Sequence, residues 1–133
     1  MRVGPRLDSR TRQSRRSALA GEAPALHWKD LEASSEQMRQ KILRTIAKIP
    51  YGKVSTYGAV ASAAGFPGRA RLVARALHGS HGVPWQRVLG AGGAIKLTGE
   101  HAFEQRFRLQ GEGVGFRGKK VDMKLYEYRW RER

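Results

Sequence analysis

Ser55-Thr56-Tyr57-Gly58-Ala59-Val60-Ala61-Ser62-Ala63-Ala64-Gly65-Phe66-Pro67-Gly68-Arg69-Ala70-Arg71-Leu72-Val73-Ala74-Arg75-Ala76-Leu77 is the stretch on which the fold turns. Ser55 and Thr56 are both good helix N-caps, because a hydroxyl accepts from the free amides of a first turn. Tyr57, Val60, Ala61 and Ala64 then recur at helical spacing. Gly65 is placed to end that helix, since glycine enters the left-handed region without a Cβ clash. Phe66-Pro67-Gly68 turns the chain. A second helical run follows, with Ala70, Val73, Ala74 and Leu77 on one face. Two short helices joined by a tight glycine-containing turn make the helix-turn-helix pattern, which many unrelated helical hairpins share.

Upstream, Ser34-x-x-Gln37 has the form of a capping box. Met38, Ile42, Leu43, Ile46 and Ile49 predict an amphipathic helix over 35–48, ended by the turn Pro50-Tyr51-Gly52-Lys53. Downstream, Val83 to Leu89 is short and apolar with polar interruptions. Gly90 to Gly93 is a turn, and Ala94 to Leu97 reads as a return strand or extended segment. Residues 100–111 predict a last helix with Phe103, Phe107 and Leu109 inward. The chain from Val114 to Trp130 reads as an extended strap anchored by Tyr126, Tyr128 and Trp130. No internal repeat is present.

The 133 residues suit one domain, read as 34–133, behind a basic tail and linker over 1–33. Residues 1–20 carry Arg2, Arg6, Arg10, Arg12, Arg15 and Arg16 against Asp8, with few apolar side chains, as a disordered tail does. A twin-arginine signal or a transit peptide is disfavoured, because no adequate apolar core or periodicity follows. No apolar run is long enough for a membrane span. The chain has no cysteine, which excludes disulfides, a thiol nucleophile and Cys-based zinc sites. His27, His78, His81 and His101 lack metal-ligand spacing, so neither metal nor cofactor is expected. His78 and His81 flank a loop and suit a surface or DNA-backbone role.

The formal charge is +15, which favours a polyanionic partner. Its distribution is more telling. No carboxylate stands between Glu36 and Glu100, while Arg39, Lys41, Arg44, Lys48, Lys53, Arg69, Arg71, Arg75, Arg87 and Lys96 do. Two-carboxylate hydrolysis and carboxylate-held metals need acids that this stretch lacks. A phosphate backbone suits such a face, and the plainer account is a solvated charged surface.

Pro84-Trp85-Gln86-Arg87-Val88 resembles the Pro-Cys-His-Arg-Val active-site stretch of the O6-alkylguanine-DNA alkyltransferases. Three further pieces stand in order around it: Ile49 to Gly58, Ala70-Arg71-Leu72-Val73, and Glu112-Gly113-Val114. The resemblance covers roughly residues 36–130. Trp85 stands where the reactive Cys would be, and an indole is no comparable nucleophile. In this the chain is similar to the alkyltransferase-like proteins, which bind alkylated DNA without repairing it. The ending Tyr126-x-Tyr128-Arg129-Trp130 resembles their bacterial members.

The resemblance implies a mainly α fold with short extended segments, a winged-helix-like helix-turn-helix domain as in the alkyltransferase C-terminal domain. It implies minor-groove binding to double-stranded DNA through Ser55, Thr56, Tyr57, Arg69, Ala70, Arg71 and Arg75. The damaged nucleotide is then rotated out of the stack. Arg71 matches the arginine that fills the vacated place; an ordinary phosphate contact, as assumed for Arg69 and Arg75, is the alternative. Tyr57 matches the tyrosine that crowds the 3′ phosphate; a core tyrosine is the alternative. The alkylguanine pocket is implied at Tyr57, Pro84, Trp85, Val88, Thr98 and Gly99, with Val88 and the Thr98-Gly99 loop acting through their backbones. Trp85 either packs against the lesion or plugs a dead pocket.

Glu112 matches the glutamate of a Cys-His-Glu relay whose middle member is now Gln86, and Gln cannot shuttle a proton as imidazole does. Gln86, Arg87 and Glu112 are therefore expected as structural support for the site, and no residue is expected to be catalytic. The function so implied is a monomeric, non-enzymatic sensor of O6-alkylguanine in the bacterial cytoplasm or nucleoid, with hand-over to nucleotide excision repair proteins. Two alternatives stand beside it. One is a sequence-specific helix-turn-helix regulator without damage preference. The other is a hydrolytic enzyme reusing the pocket, for which Glu112 is the only nearby base.

Overall fold

Helix α1 (Trp28–Ile46) opens the part of the chain that the computed structural model describes, residues 28–131. It begins six positions before Ser34, so Ser34 lies inside the helix and the expected capping box does not form. Residues 28–33, expected as linker, are helical. Asp30-Leu31-Glu32-Ala33 contains no Gly or Pro, and Leu, Glu and Ala favour helix. The chain divides after Ser35 into two units, Met1–Ser35 and Glu36–Arg133. The expectations for the tail over residues 1–27 fall outside the described residues. All that follows concerns the second unit.

The helical hairpin forms as its caps dictate. Thr56, extended, accepts from the Ala59 amide at 3.1 Å and starts helix α2 (Tyr57–Ala63). Gly65 ends it at φ +98°, with its amide on the Ser62 carbonyl and the Phe66 amide on the Ala61 carbonyl at 2.8 Å. Those two reversed bonds satisfy carbonyls that the helix end leaves free. Helix α3 (Ala70–Leu77) follows the Phe66-Pro67-Gly68 turn. It buries Val73 and Ala76, whereas Ala74, expected inward, is exposed. Val73 and Ala76 meet Val60, Ala61 and Ala64 of α2 and Ile42, Ile46 and Ile49 of the first segment in one apolar cluster.

Strand β1 (Ser55–Thr56) pairs in parallel with β2 (Val88–Leu89), Ser55 opposite Val88. The strap docks beside β1. The Val54 amide donates to the Tyr126 carbonyl at 2.9 Å, and the Tyr128 amide donates to the Val54 carbonyl at 2.7 Å. Residues 94–98 are extended rather than paired as a strand, apart from an isolated bridge between Ala94 and Lys120. Two elements within the strap region were not foreseen: a hairpin of β3 (Phe116–Arg117) and β4 (Lys120–Val121), and a one-turn helix after helix α4 (Gly99–Gly111), namely α5 (Met123–Tyr126). Tyr126 anchors a second cluster around Val54, Leu89, Leu109, Val114 and Val121, while Tyr128 and Trp130 pack on the first.

Helix α4 corrects one expectation. Phe103 and Phe107 are 73% and 67% exposed, and the inward side chains are Gln105 and Leu109. Gln105 is buried because its amide donates to the Gln86 and Val88 carbonyls at 3.1 and 2.9 Å, which rotates the phenylalanines outward. Their rings lie stacked, with centroids 6.3 Å apart. Leu109→Ala is therefore expected to cost about 2–5 kcal/mol. Phe103→Ser should stay within about 0.5 kcal/mol of the parent, as surface changes do. Urea unfolding of the three proteins checks the contrast.

Candidate nucleic-acid interface

Helix α3 presents Arg71 and Arg75 to solvent one turn apart, and Arg69 stands exposed at its N-cap without a side-chain capping bond. Ala74 and His78 continue the Arg71 face, because positions three, four and seven apart share one side of a helix. That face borders a cavity of about 460 Å3. Tyr57, Ala74, Leu77, His78 and Gly79 line it together with Trp85, Leu97, His101 and Glu104. The volume falls within the roughly 300–1,000 Å3 of small-molecule sites.

Tyr57 is the first residue of α2, set there by the Thr56 cap, and is half-buried against the first core cluster. Burial raises its phenol above the ordinary tyrosine value, so it stays a neutral donor. Trp85 opens a 3-10 turn (Trp85–Arg87), with Pro84 at its N-cap. The Arg108 guanidinium lies 5.5 Å from the Trp85 ring centroid, a cation–π approach.

Behind Trp85 the Glu112 carboxylate gathers three donors. Gln86 Nε2 donates at 2.8 Å, Arg87 Nε at 3.0 Å and the Gly52 amide at 2.9 Å. Arg87 Nη1 also donates to the Ile49 carbonyl at 2.8 Å. Burial alone would raise the Glu112 carboxyl, but the Arg87, Gly52 and Gln86 hydrogen bonds and the Arg87 charge hold it below its ordinary value.

Most of the residues singled out in the sequence fall into three groups. Tyr57 and Trp85 share the cavity, and Gln86, Arg87 and Glu112 meet behind it. Arg69, Arg71 and Arg75 are exposed at α3, where Ala70 is half-buried. Ser55 requires correction: it is fully buried, and its hydroxyl accepts from Trp130 Nε1 at 3.0 Å, so it does not face a partner. Val88 is also fully buried, with its carbonyl on Gln105 and its amide on the Trp85 carbonyl. Pro84, Thr98 and Gly99 lie beside the cavity lining rather than in it; Leu97 and His101 take the wall at that end. Leu97, His101 and Glu104 carried no site signal in the sequence. Glu104 reads there as one half of a helical ion pair with Arg108. No candidate metal cluster occurs among the described residues, and none of their helices is long and apolar enough to cross a membrane.

Residues 37–114 match the model of the 6-O-methylguanine DNA methyltransferase DNA-binding domain. The chain belongs to this family. Within it, the chain is similar to alkyltransferase-like protein 1 of Schizosaccharomyces pombe, at 38% identity over 72% of this chain and 96% of that protein. It is 43% identical to a DNA base-flipping protein of Vibrio parahaemolyticus, over 59% of this chain and 82% of the relative. The crystal structure of the S. pombe protein with damaged DNA containing O6-carboxymethylguanine superposes with a TM-score of 0.65 at 33% identity, covering 71% of this chain and 96% of that one. The chain is thus an alkyltransferase-like member with the family's helix-turn-helix DNA-binding domain, and it lacks any cysteine.

Because the Glu112 carboxyl is held below its unfolded value, the stability that it adds is complete above the ordinary carboxylate range and is lost as pH falls through the lowered value. Glu112→Gln is expected to cost about 2–4 kcal/mol at pH 7, since Arg87 loses its ionic partner. The gap should narrow as pH falls through that lowered value, where the parent carboxylate also protonates. Urea melts of both proteins at pH 7 and pH 3 measure it.

Proposed function

We propose that this chain is a non-enzymatic sensor that binds O6-alkylguanine in duplex DNA, flips the damaged nucleotide into the cavity between Tyr57 and Trp85, and marks the site for nucleotide excision repair. The observation that carries the reading is this cavity: it stands open beside the exposed arginine face of α3, with an indole where the family's thiolate would be. The relatives named alkyltransferase-like protein 1 and DNA base-flipping protein support it, as does the S. pombe complex with damaged DNA containing O6-carboxymethylguanine.

Arg69 and Arg75 meet the phosphates and set α3 in the groove. Extruding a base costs a few kcal/mol of stacking and pairing, least at a damaged pair, so a lesion is selected partly by its own weakness. Arg71 enters the vacated place, where its planar guanidinium stacks and hydrogen-bonds the orphaned cytosine. Tyr57 crowds the backbone beside the rotating nucleotide. Trp85 offers the flipped base an aromatic face and no nucleophile. Gln86 holds Glu112 by donating an amide hydrogen, so no proton relay runs through the site. The chain acts as a monomer in the cytoplasm or nucleoid. Hand-over to excision repair follows the family resemblance, with the flipped, held nucleotide as the mark.

Incubation with duplexes that differ only in guanine or O6-methylguanine tests the proposal. Tighter binding to the alkylated duplex is expected, with protein and DNA masses unchanged after incubation. Equal affinity would sink the sensor and leave a sequence-specific regulator; a transferred methyl group would make the protein an enzyme. Arg71→Ala should reduce the ratio of alkylated to plain affinity, whereas Arg75→Ala should weaken both duplexes alike and lower the salt dependence by about one phosphate contact. If both variants act alike on both duplexes, Arg71 is a phosphate contact only.

A further inference from the structure

The Trp85 indole is half-buried and lines the cavity, but it joins neither apolar core cluster. Trp130 is pinned by the bond from its Nε1 to Ser55, whereas among the described residues no such bond holds the Trp85 indole. A ring on a cavity wall without such ties can change rotamer, and a surface for a flipped base has to stay in one place. Arg108 reaches it. Its guanidinium stands over the Trp85 ring, 5.5 Å from the centroid.

Arg108 is itself held. Its Nε and Nη2 meet Glu104 Oε2 at 2.8 and 2.7 Å, one helical turn back. The two side chains are 49% and 46% exposed, so the pair adds little to stability, and its charges compensate each other. What it supplies is direction. A guanidinium can lay its flat face on an indole while its edge donates to a carboxylate, a geometry that an ammonium lacks. The helix that carries both residues is fixed in turn. Leu109 lies in the second core cluster, and Gln105 donates to the Gln86 and Val88 carbonyls. The same stretch of α4 thus holds the site loop by its backbone and reaches the Trp85 ring by a side chain.

We infer that Arg108 is a positioning residue: steered by Glu104, it braces the Trp85 ring in the cavity wall, and preference for an alkylated base depends on that brace. The dependence rests on the proposed sensor reading; the brace does not.

Fluorine NMR of the full chain, labelled with fluorotryptophan, tests the brace without DNA. Loss of a signal in Trp85→Phe assigns Trp85. Arg108→Ala should shift and broaden the Trp85 signal and leave that of Trp130 in place, and Glu104→Gln should move the Trp85 signal the same way. A Trp85 signal unchanged in either variant overturns the inference. Fluorescence anisotropy with duplexes identical except for guanine or O6-methylguanine tests the consequence. Arg108→Ala should lower the ratio of methylated to plain affinity by about two- to fivefold, the scale of an exposed cation–π contact. Arg108→Lys should recover the affinity for plain DNA but not that ratio, because it returns the charge without the flat guanidinium. An equal loss for both duplexes in Arg108→Ala makes Arg108 a phosphate contact and overturns the inference, as does full recovery of the ratio in Arg108→Lys. Equal binding of both duplexes by the parent removes the sensor reading and the dependence with it, while the fluorine spectra still decide the brace.

Discussion

One ionised carboxylate holds three distant parts of the chain together. Glu112 follows α4, Gly52 lies in the turn after α1, and Gln86 and Arg87 form the site loop; all three donors converge on two oxygens. Arg87 extends the junction to the Ile49 carbonyl. The Tyr51 hydroxyl adds a further tie to the Gly111 carbonyl at 3.1 Å. The junction adds to the β1–β2 ladder in fixing the loop that carries Trp85 beside the strand that leads into the Tyr57 helix. A cavity wall made from separate elements keeps its shape only if such a tie is satisfied.

That junction also explains how a relay can lose its chemistry and keep its architecture. Imidazole in the middle position would pass a proton between thiol and carboxylate. The Gln86 amide makes a hydrogen bond of similar reach but carries no exchangeable charge. Glu112 accordingly stays ionised as an acceptor for neighbours that only donate. The same atoms that would tune a nucleophile here order a loop. Gln105 completes the arrangement from the other side by donating to the Gln86 and Val88 carbonyls, so the loop is held through its backbone as well as its side chains.

Much of the fold was legible in the sequence because its signals are local. Thr56 caps, Gly65 reverses and Phe66-Pro67-Gly68 turns by chemistry confined to a few residues, and each does so in the structure. What was not legible depends on partners far along the chain. Ser55 looks like an exposed hydroxyl beside a cap, yet Trp130 reaches back 75 positions to occupy it. Phe103 and Phe107 look like core residues, yet Gln105 finds two loop carbonyls and takes the inward face. Apolar residues are not excluded from surfaces, and the Gln105 amide nitrogen finds two acceptors inward while its Oε1 has none, so the two donated bonds accompany the rotation. Glu104 illustrates the same limit at the site. Its spacing to Arg108 has a sufficient local explanation, and only the fold brings it beside Trp85.

The open space beside Trp85 bears on whether the indole fills the site or furnishes it. A plug would bring the ring into contact with Tyr57 and Leu77 and leave no volume between them. Instead all three line one cavity of about 460 Å3. A cleft open to solvent keeps a bulky side chain off the opposite wall only where the surrounding elements are fixed. Here they are fixed: the Glu112 junction sets the loop, the Thr56 cap sets Tyr57, and the Trp130 hydrogen bond to Ser55 pins the strand before it. The cleft is therefore held open by polar ties outside it. That arrangement has a use when the cavity receives something, and it favours the proposed role of Trp85 as a surface for the flipped base over that of a filler.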